Sequence, residues 1–382
     1  PDTRGGAEIM SRSLRQNLRN RGIDARLLTA GADTAPEQDS PDYLCGGGTG
    51  TMRALSEVWN FRAARKLRAI LKEFQPDLVH LMMFATALSP SVLRELKSVP
   101  VMHTVLTYRE ICPSGLRWLP GRGRCDAEVG KACYRQGCFT RVSAVPRLIQ
   151  HKVLNRLRSS IDQSVALSEP MKQLLQAHGW EVDGVQELAV ETVVRQAPMA
   201  ETPTIAYAGR LENEKGIDWF LQAVAHAGPA LAHVRIDIFG DGHARTELQR
   251  MSDSLGLGGQ VTYHGHLPQQ ALQSELDRAW VQVVPSLWPE PFGMVVIEAM
   301  SRGTPVIVAD TGTPPTLIQD GVSGWIVPAG DVAAFATALR SSVADRETAR
   351  QIGENARKSF EARSSMSDYM DTLIDRYNQL VR

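Results

Sequence analysis

From residue 204 onward the chain alternates between short, β-branched apolar runs and longer stretches whose apolar side chains recur three and four residues apart. The runs fall at 204–208, 234–239, 261–264, 281–285 and 305–309. Strands separated by helices cannot pair as tight hairpins. Each must cross back over the sheet, which restricts this half to a doubly wound α/β domain with a parallel sheet. Trp219, Phe220, Ala223 and Val224, then Leu272, Leu276 and Ala279, supply the inward faces of two intervening helices. Residues 25–29, 78–82, 99–105 and 164–167 repeat the grammar less cleanly upstream, so the expectation is two Rossmann-like domains facing a central cleft. The polar, proline-bearing stretch 196–203 breaks the periodicity and reads as the linker.

The predicted organisation is an N-terminal domain over 1–196, a C-terminal domain over 204–363 and a closing segment over 364–382. In that segment Met366, Tyr369, Met370, Leu373, Ile374, Tyr377 and Leu380 mark one face of a helix about four turns long, which has to dock on another surface. Residues 1–8 read as the loop after a first strand, and the expectation is that residues before Pro1 supply that strand. A length of 382 residues fits two cores better than one. Because 42 basic residues balance 42 acidic ones, no global field attracts nucleic acid or anionic lipid. The basic stretches also lack interleaved aromatic platforms, which argues against a nucleic-acid partner. There is no apolar run of spanning length, and the cysteine count of 5 is odd; both agree with a cytoplasmic reading.

The densest chemical signal is residues 285–300, a strand end, a proline-rich turn and a helix opening at Gly293. The backbone N–H groups of Phe292, Gly293 and Met294 would face outward with the helix dipole behind them, a ready site for a phosphate or sugar hydroxyl. Glu290 in the turn and Glu298 one and a half turns inside can accept hydrogen bonds at two ends of one elongated ligand. A capping Glu and a solvated helical Glu are the plainer reading. Arg210 and Lys215 occupy the turn after the strand that ends at Gly209, where two cations beside a helix start can neutralise a diphosphate. As ordinary loop cations they would be solvated. Gly240, Asp241 and Gly242 form a glycine turn after another strand, close enough to backbone for a nucleotide to approach.

In that order and at that spacing, Gly209-Arg210 to Lys215-Gly216, Gly240-Asp241-Gly242, Glu290-Pro291-Phe292-Gly293 to Glu298-Ala299-Met300, and Gly321 to Asp331 strongly resemble family 4 retaining glycosyltransferases of the GT-B fold, glycosyl transferase group 1. The resemblance spans roughly the whole chain and is most specific over 204–331. It implies a nucleoside diphosphate sugar as donor, no metal required for catalysis, and an acceptor that is a glycan, a lipid-linked group or a small molecule. Arg210 and Lys215 would hold the donor diphosphate, Glu290 the donor sugar and Glu298 the ribose hydroxyls. The closing helix would cross back to the first domain. Gly5 and Gly6 resemble the family's glycine loop, whose amides approach the donor phosphate from the opposite domain.

The acceptor half departs from the pattern. Leu106 and Thr107 stand where the family has a His-Asp pair, with Tyr108 and Arg109 following as in the family. His103 either substitutes by a register shift or is an ordinary strand histidine. Leu188-Ala189 replaces an Asn-Gly, and Pro315 replaces a Glu. These departures keep a non-catalytic, nucleotide-sugar-binding partner protein as the alternative function. Cys112, Cys125, Cys133 and Cys138 cluster in a polar insertion over 112–138 and could hold a structural zinc, form a disulfide or stay unlinked. Arg141, Arg147, Lys152, Arg156 and Arg158 interleave with Val145, Leu148, Ile149, Val153, Leu154 and Leu157, a pattern shared by helices that rest on an anionic membrane and helices that pack on a sheet.

Overall fold

The computed structural model describes residues 6–30, 40–45, 51–119, 121, 123–363 and 365–381. It divides into two compact units: Pro1–Leu119 with Asp126–Leu188 and Ser367–Arg382, and Pro120–Cys125 with Ala189–Met366. In the first unit α1 (Gly6–Asn20) precedes a parallel pair, β1 (Leu28–Ala30) and β2 (Tyr43–Cys45). Helices α2 (Thr51–Val58) and α3 (Phe61–Phe74) lead to β3 (Val79–Leu81) and β4 (Val101–Val105). Strand β5 (Trp118–Leu119) and helix α4 (Lys131–Arg135) come before α5 (Arg141–Leu157), and the short strand β6 (Gly123–Arg124) between β5 and α4 falls in the segment assigned to the second unit. Strand β7 (Gln163–Ala166), α6 (Glu169–Ala177) and β8 (Gly184–Val185) complete a four-stranded parallel sheet in the order β3-β4-β7-β8.

The second unit runs β9 (Thr204–Ala208), α7 (Ile217–Ala227), β10 (Arg235–Phe239), α8 (Arg245–Ser254), β11 (Val261–Gly265), α9 (Gln269–Asp277), β12 (Val281–Val284), α10 (Met294–Arg302), β13 (Val306–Ala309), β14 (Gly324–Val327), α11 (Val332–Ser342) and α12 (Arg346–Glu361). All six strands are parallel, in the order β11-β10-β9-β12-β13-β14. Counted along the chain this is 3-2-1-4-5-6, the dinucleotide-binding order, whose direction of winding reverses between β9 and β12. The residues of β12 and β13 are buried throughout, as a sheet covered on both faces requires. Trp219 and Phe220 of α7 stack on Phe335 of α11 at 4.5 and 5.6 Å between ring centres, which fixes one helical layer against that sheet.

The stretch 196–203 is held to the second unit. The amides of Gln196 and Ala197 donate to Asp277 Oδ2 at 2.7 and 3.1 Å, and the Ala200 amide donates to the Arg278 carbonyl at 2.9 Å. The division between units therefore falls earlier, after Leu188. Helix α13 (Met366–Val381) belongs to the first unit. It buries Tyr369, Met370 and Leu373 there, and Arg376 donates to the side chain of Gln186 and the carbonyl of Val185, each at 3.1 Å. Its Tyr377 hydroxyl lies 2.6 Å from Nδ1 of His80 on β3, while His80 Nε2 meets the Thr104 hydroxyl on β4 at 2.7 Å. No helix among the described residues is long and apolar enough to cross a membrane.

Desolvation, followed by the nearby His103, holds the His80 imidazole down to about 3. The unfolded chain therefore takes up this proton near pH 6.5 and the folded one does not, so stability is complete above that pH and falls as the pH drops from 6.5 towards 3. Urea midpoints of the protein are expected to decline over that window, with a shallower decline in His80→Gln. Tyr377→Phe, which strips one ring nitrogen of its partner, is expected to cost about 1–2 kcal/mol at pH 7; an unchanged midpoint would remove this contact from the docking of α13.

Candidate functional site

At the point where the winding reverses, the helices that follow β9 and β12 leave towards opposite faces, and both strand-to-helix loops reach out beyond the carboxyl edge of the sheet. Open α/β sheets take their ligands there. The two loops are tied together. The Leu287 amide donates to the Glu214 carbonyl at 2.9 Å, and the Trp219 indole donates to the Pro285 carbonyl at 2.8 Å. Gly216, whose backbone lies in the left-handed region at φ 67°, passes so close that an added Cβ would sit 2.1 Å from the Pro285 carbonyl oxygen. Across this junction Lys215 Nζ donates to Glu290 Oε1 at 2.7 Å.

The sequence suggests solvated loop cations, and the two differ. The Lys215 and Glu290 side chains are only 16% and 12% exposed, whereas Arg210 is 62% exposed and reaches Glu214 at 3.4 Å and Glu212 at 3.9 Å. Burial pushes the Glu290 carboxyl up, but the Lys215 charge and hydrogen bonds from Lys215, Ser286 and Trp288 outweigh it and hold the group below its ordinary value. Lys215 also lies 5.3 Å from the centre of the Trp288 ring, over its face. Ser286 and Trp288 escaped the sequence reading. Their only signal was their place in the proline-rich turn.

Helix α10 starts from Gly293 at φ 96° with no side chain capping it, so its first amides stay directed beyond the sheet edge. Phe292 is buried beneath them. The loop after β13 rests on the same turn: the Thr313 amide donates to the Glu290 carbonyl at 3.0 Å and the Thr313 hydroxyl to the Pro291 carbonyl at 2.9 Å. Glu298, inside α10, is pushed up by burial with the Arg302 charge partly opposing it. No hydrogen bond to its carboxylate is recorded among the described residues. Gly240 has a different reason from the one its turn suggests. At φ 119°, a Cβ there would lie 1.9 Å from the Gly209 carbonyl, so the glycine permits two loops to pack backbone to backbone. Asp241 accepts from the Gly242 amide at 2.8 Å and from Arg245 at 3.2 Å, both on its own loop or the helix after it.

In the first unit a pocket opens at the carboxyl ends of β3 and β4, lined by Met82, Met83, Leu106, Thr107, Arg109 and Glu110 among others. Leu106 and Thr107 thus line open space, as does Arg109. His103 does not: it is 0% exposed, wedged edge-on against Phe84 and Trp180, with Nε2 3.4 Å from Glu110 Oε1. Tyr108 is likewise buried. A register shift that would present His103 is ruled out by its inward direction in β4, whose residues are all buried. Glu110 is the polar pocket residue that sequence reasoning missed. Gly5 lies outside the described residues, and Gly6 is the first residue of α1.

Among the described residues no three or more His, Cys, Asp or Glu gather as a metal site, and no cysteine is disulfide-bonded. Cys112 is buried with its sulfur 3.1 Å from the Ser114 hydroxyl, while Cys125, Cys133 and Cys138 are half-buried. Arginines hold this backbone instead: Arg109 donates to the Pro113 carbonyl at 3.2 Å and Arg117 to the Ala127 carbonyl at 3.0 Å.

Two family profiles cover most of the chain: residues 5–190 match "Glycosyl transferase 4-like domain" and residues 192–359 match "Glycosyl transferases group 1". A curated relative, the alpha-D-kanosaminyltransferase of Streptomyces kanamyceticus, is 29% identical over 50% of this chain and 50% of its own. The D-inositol 3-phosphate glycosyltransferase of Nocardia farcinica is 27% identical over 88% of this chain and 71% of its own. The chain spans about half the length, or less, of most of the curated relatives it matches first. Among solved structures, the sucrose-phosphate synthase of Thermosynechococcus elongatus superposes with a TM-score of 0.75 at 20% identity, covering 98% of this chain and 94% of that one. The Anabaena protein HepE in complex with UDP-glucose gives 0.71 at 18% identity, covering 100% and 98%.

Lys215→Ala would leave the Glu290 carboxylate inside without its counter-charge, at an expected cost of about 2–3 kcal/mol. Because the Glu290 carboxyl is held below its unfolded value, its contribution is present above about pH 4.3 and is lost as the pH falls through the folded value. The stability gap between wild type and Lys215→Ala should therefore narrow below pH 4.3. A gap that stays constant down to pH 3 would mean the pair carries no folding energy.

Proposed function

The chain belongs to the group 1 glycosyl transferases of the family 4 type, with the GT-B fold, and we propose that it moves a sugar from a nucleoside diphosphate sugar to an acceptor hydroxyl with retention and without a catalytic metal. The observation that carries this reading is the Lys215–Glu290 pair set before the open start of α10, at the reversal point of the sheet. In transfer the bond from the anomeric carbon to the diphosphate oxygen breaks, its electron pair leaving with the diphosphate. The acceptor oxygen bonds to that carbon and its proton passes to the departing phosphate or to solvent.

Each residue has a part. The α10 amides, Arg210 and Lys215 balance the charge that grows on the leaving diphosphate, a contribution of about 3–4 kcal/mol per well-placed donor. Glu290, facing the same junction, accepts from hydroxyls of the sugar. Glu298, without a recorded protein donor, accepts from the ribose hydroxyls. Phe292, Gly293 and Met294 build the floor, and Gly209 with the turn 240–242 closes the neighbouring loops. The pocket beside Leu106, Thr107 and Arg109 is the acceptor side. Because HepE is described in complex with UDP and UDP-glucose, uridine nucleotides are the first probes.

Leu106 and Thr107, in the place of a His-Asp pair, favour the second reading, a nucleotide-sugar-binding partner without transfer. Incubation with UDP- and GDP-sugars and mixed acceptors separates the two. A new glycoside whose anomeric proton coupling matches the donor, formed equally in EDTA, supports the first reading. Donor binding with neither transfer nor hydrolysis supports the second. Within the first, Glu298→Gln is expected to weaken the bare nucleoside diphosphate about tenfold by calorimetry, the loss of one charge-assisted bond. Glu290→Gln should bind it nearly as wild type and lose turnover with the full donor. Equal effects in both variants would refute the role assignment.

A further inference from the structure

Helix α5 contains no acidic residue, yet it carries Arg147, Lys152 and Arg156 in a chain whose net charge is zero. Its buried side is committed to the first unit through Ala144, Gln150 and Leu154, and Gln150 donates to the carbonyls of Glu57 and Ala85. Its other side is bare. Val142, Val145 and Ile149 are 85%, 57% and 45% exposed, and Lys152 and Arg156 are exposed after them. These five residues follow one another at intervals of three and four, which places them on a single narrow stripe about 21 Å long at 1.5 Å per residue. The aliphatic end leads and the basic end follows.

The surroundings extend this character. Helix α2 packs on α5 and leaves Leu55 64% exposed, and α3 opens with exposed Phe61 followed by exposed Arg62 and Arg65. Glu57 on α2 is engaged with Arg147 at 3.4 Å, and Glu95 is engaged with Arg68 on α3 at 2.7 Å. No ion pair to Lys152 or Arg156 is recorded among the described residues. Three aliphatic side chains on this stripe are therefore open to solvent.

We propose that this stripe docks on the surface of an anionic phospholipid bilayer, with Val142, Val145 and Ile149 entering the boundary between headgroups and acyl chains while Lys152 and Arg156 meet lipid phosphates. Charge complementarity selects this occupant: an acid-free helix that mixes aliphatic and basic side chains along one line matches a plane that is apolar beneath and anionic on top. The donor-site residues lie in the other unit and take no part.

Flotation of the full chain with phosphatidylcholine vesicles containing 30 mol% phosphatidylglycerol, compared with pure phosphatidylcholine, tests the proposal. Wild type should float with the anionic vesicles at about 0.1 M salt and be released at about 0.5 M, as screening of surface charge demands. Val145→Asp with Ile149→Asp, and separately Lys152→Glu with Arg156→Glu, should each reduce the bound fraction about fivefold or more, with UDP affinity and thermal melting unchanged. The residues are exposed, so unchanged melting verifies that both variants fold. Absence of wild-type flotation at low salt overturns the proposal. So does a loss caused by only one of the two pairs, or a dimer that the aspartate pair dissociates without altering flotation.

Discussion

The reversal of winding between β9 and β12 is the constraint on which the rest of the second unit depends. A parallel sheet wound in one direction only would carry all its crossovers on one face and leave the other bare. Starting again from the middle covers both faces, and it forces the two central strands to send their loops apart at the carboxyl edge. The tether from Leu287 to Glu214 and the indole of Trp219 on Pro285 then keep those loops from drifting. Lys215 and Glu290 come from loops 75 residues apart in sequence, and nothing but the strand order makes them neighbours.

The electrostatics of this junction carry an obligation. Arg210 and Lys215 are the cations, and Glu212, Glu214 and Glu290 answer them. On the proposed function, a diphosphate would meet cations already engaged with carboxylates, and its binding would exchange the Lys215–Glu290 contact for contacts to the donor. The amides that open α10 are fixed by the backbone, so they need no rearrangement to meet an anion.

Much of this was legible in the chain. The runs at 204–208, 281–285 and 305–309 became β9, β12 and β13 almost residue for residue, because strands buried on both faces leave continuous apolar text. The strand β14 was read only as part of a motif, since Gly324, Trp325, Ile326 and Val327 are too few to show a period. Burial was the harder quantity. Lys215 and Arg210 look alike in a turn, and only the packing of Trp288 and Glu290 sets one inside and leaves the other out. His103 resembled a displaced functional residue because a strand gives no sign of which face its one histidine takes. The cysteines of 112–138 are close in sequence, but closeness along a chain fixes no tetrahedron, whereas Arg109 and Arg117 hold the backbone of those loops.

Helix α13 packs into the first unit, although residues 189–366 of the second unit separate it from the rest of that unit along the chain. Synthesis imposes an order on this arrangement. Every residue of the second unit leaves the ribosome before Tyr377 can reach His80, so the later domain has all its elements in hand while the earlier one still waits for its last. Until then the faces that meet Tyr369, Met370 and Leu373 stand uncovered on the nascent protein. The part of the molecule that is made first is thus the part that finishes folding last, and a stop codon ahead of residue 366 would damage a domain whose other residues had all been translated correctly.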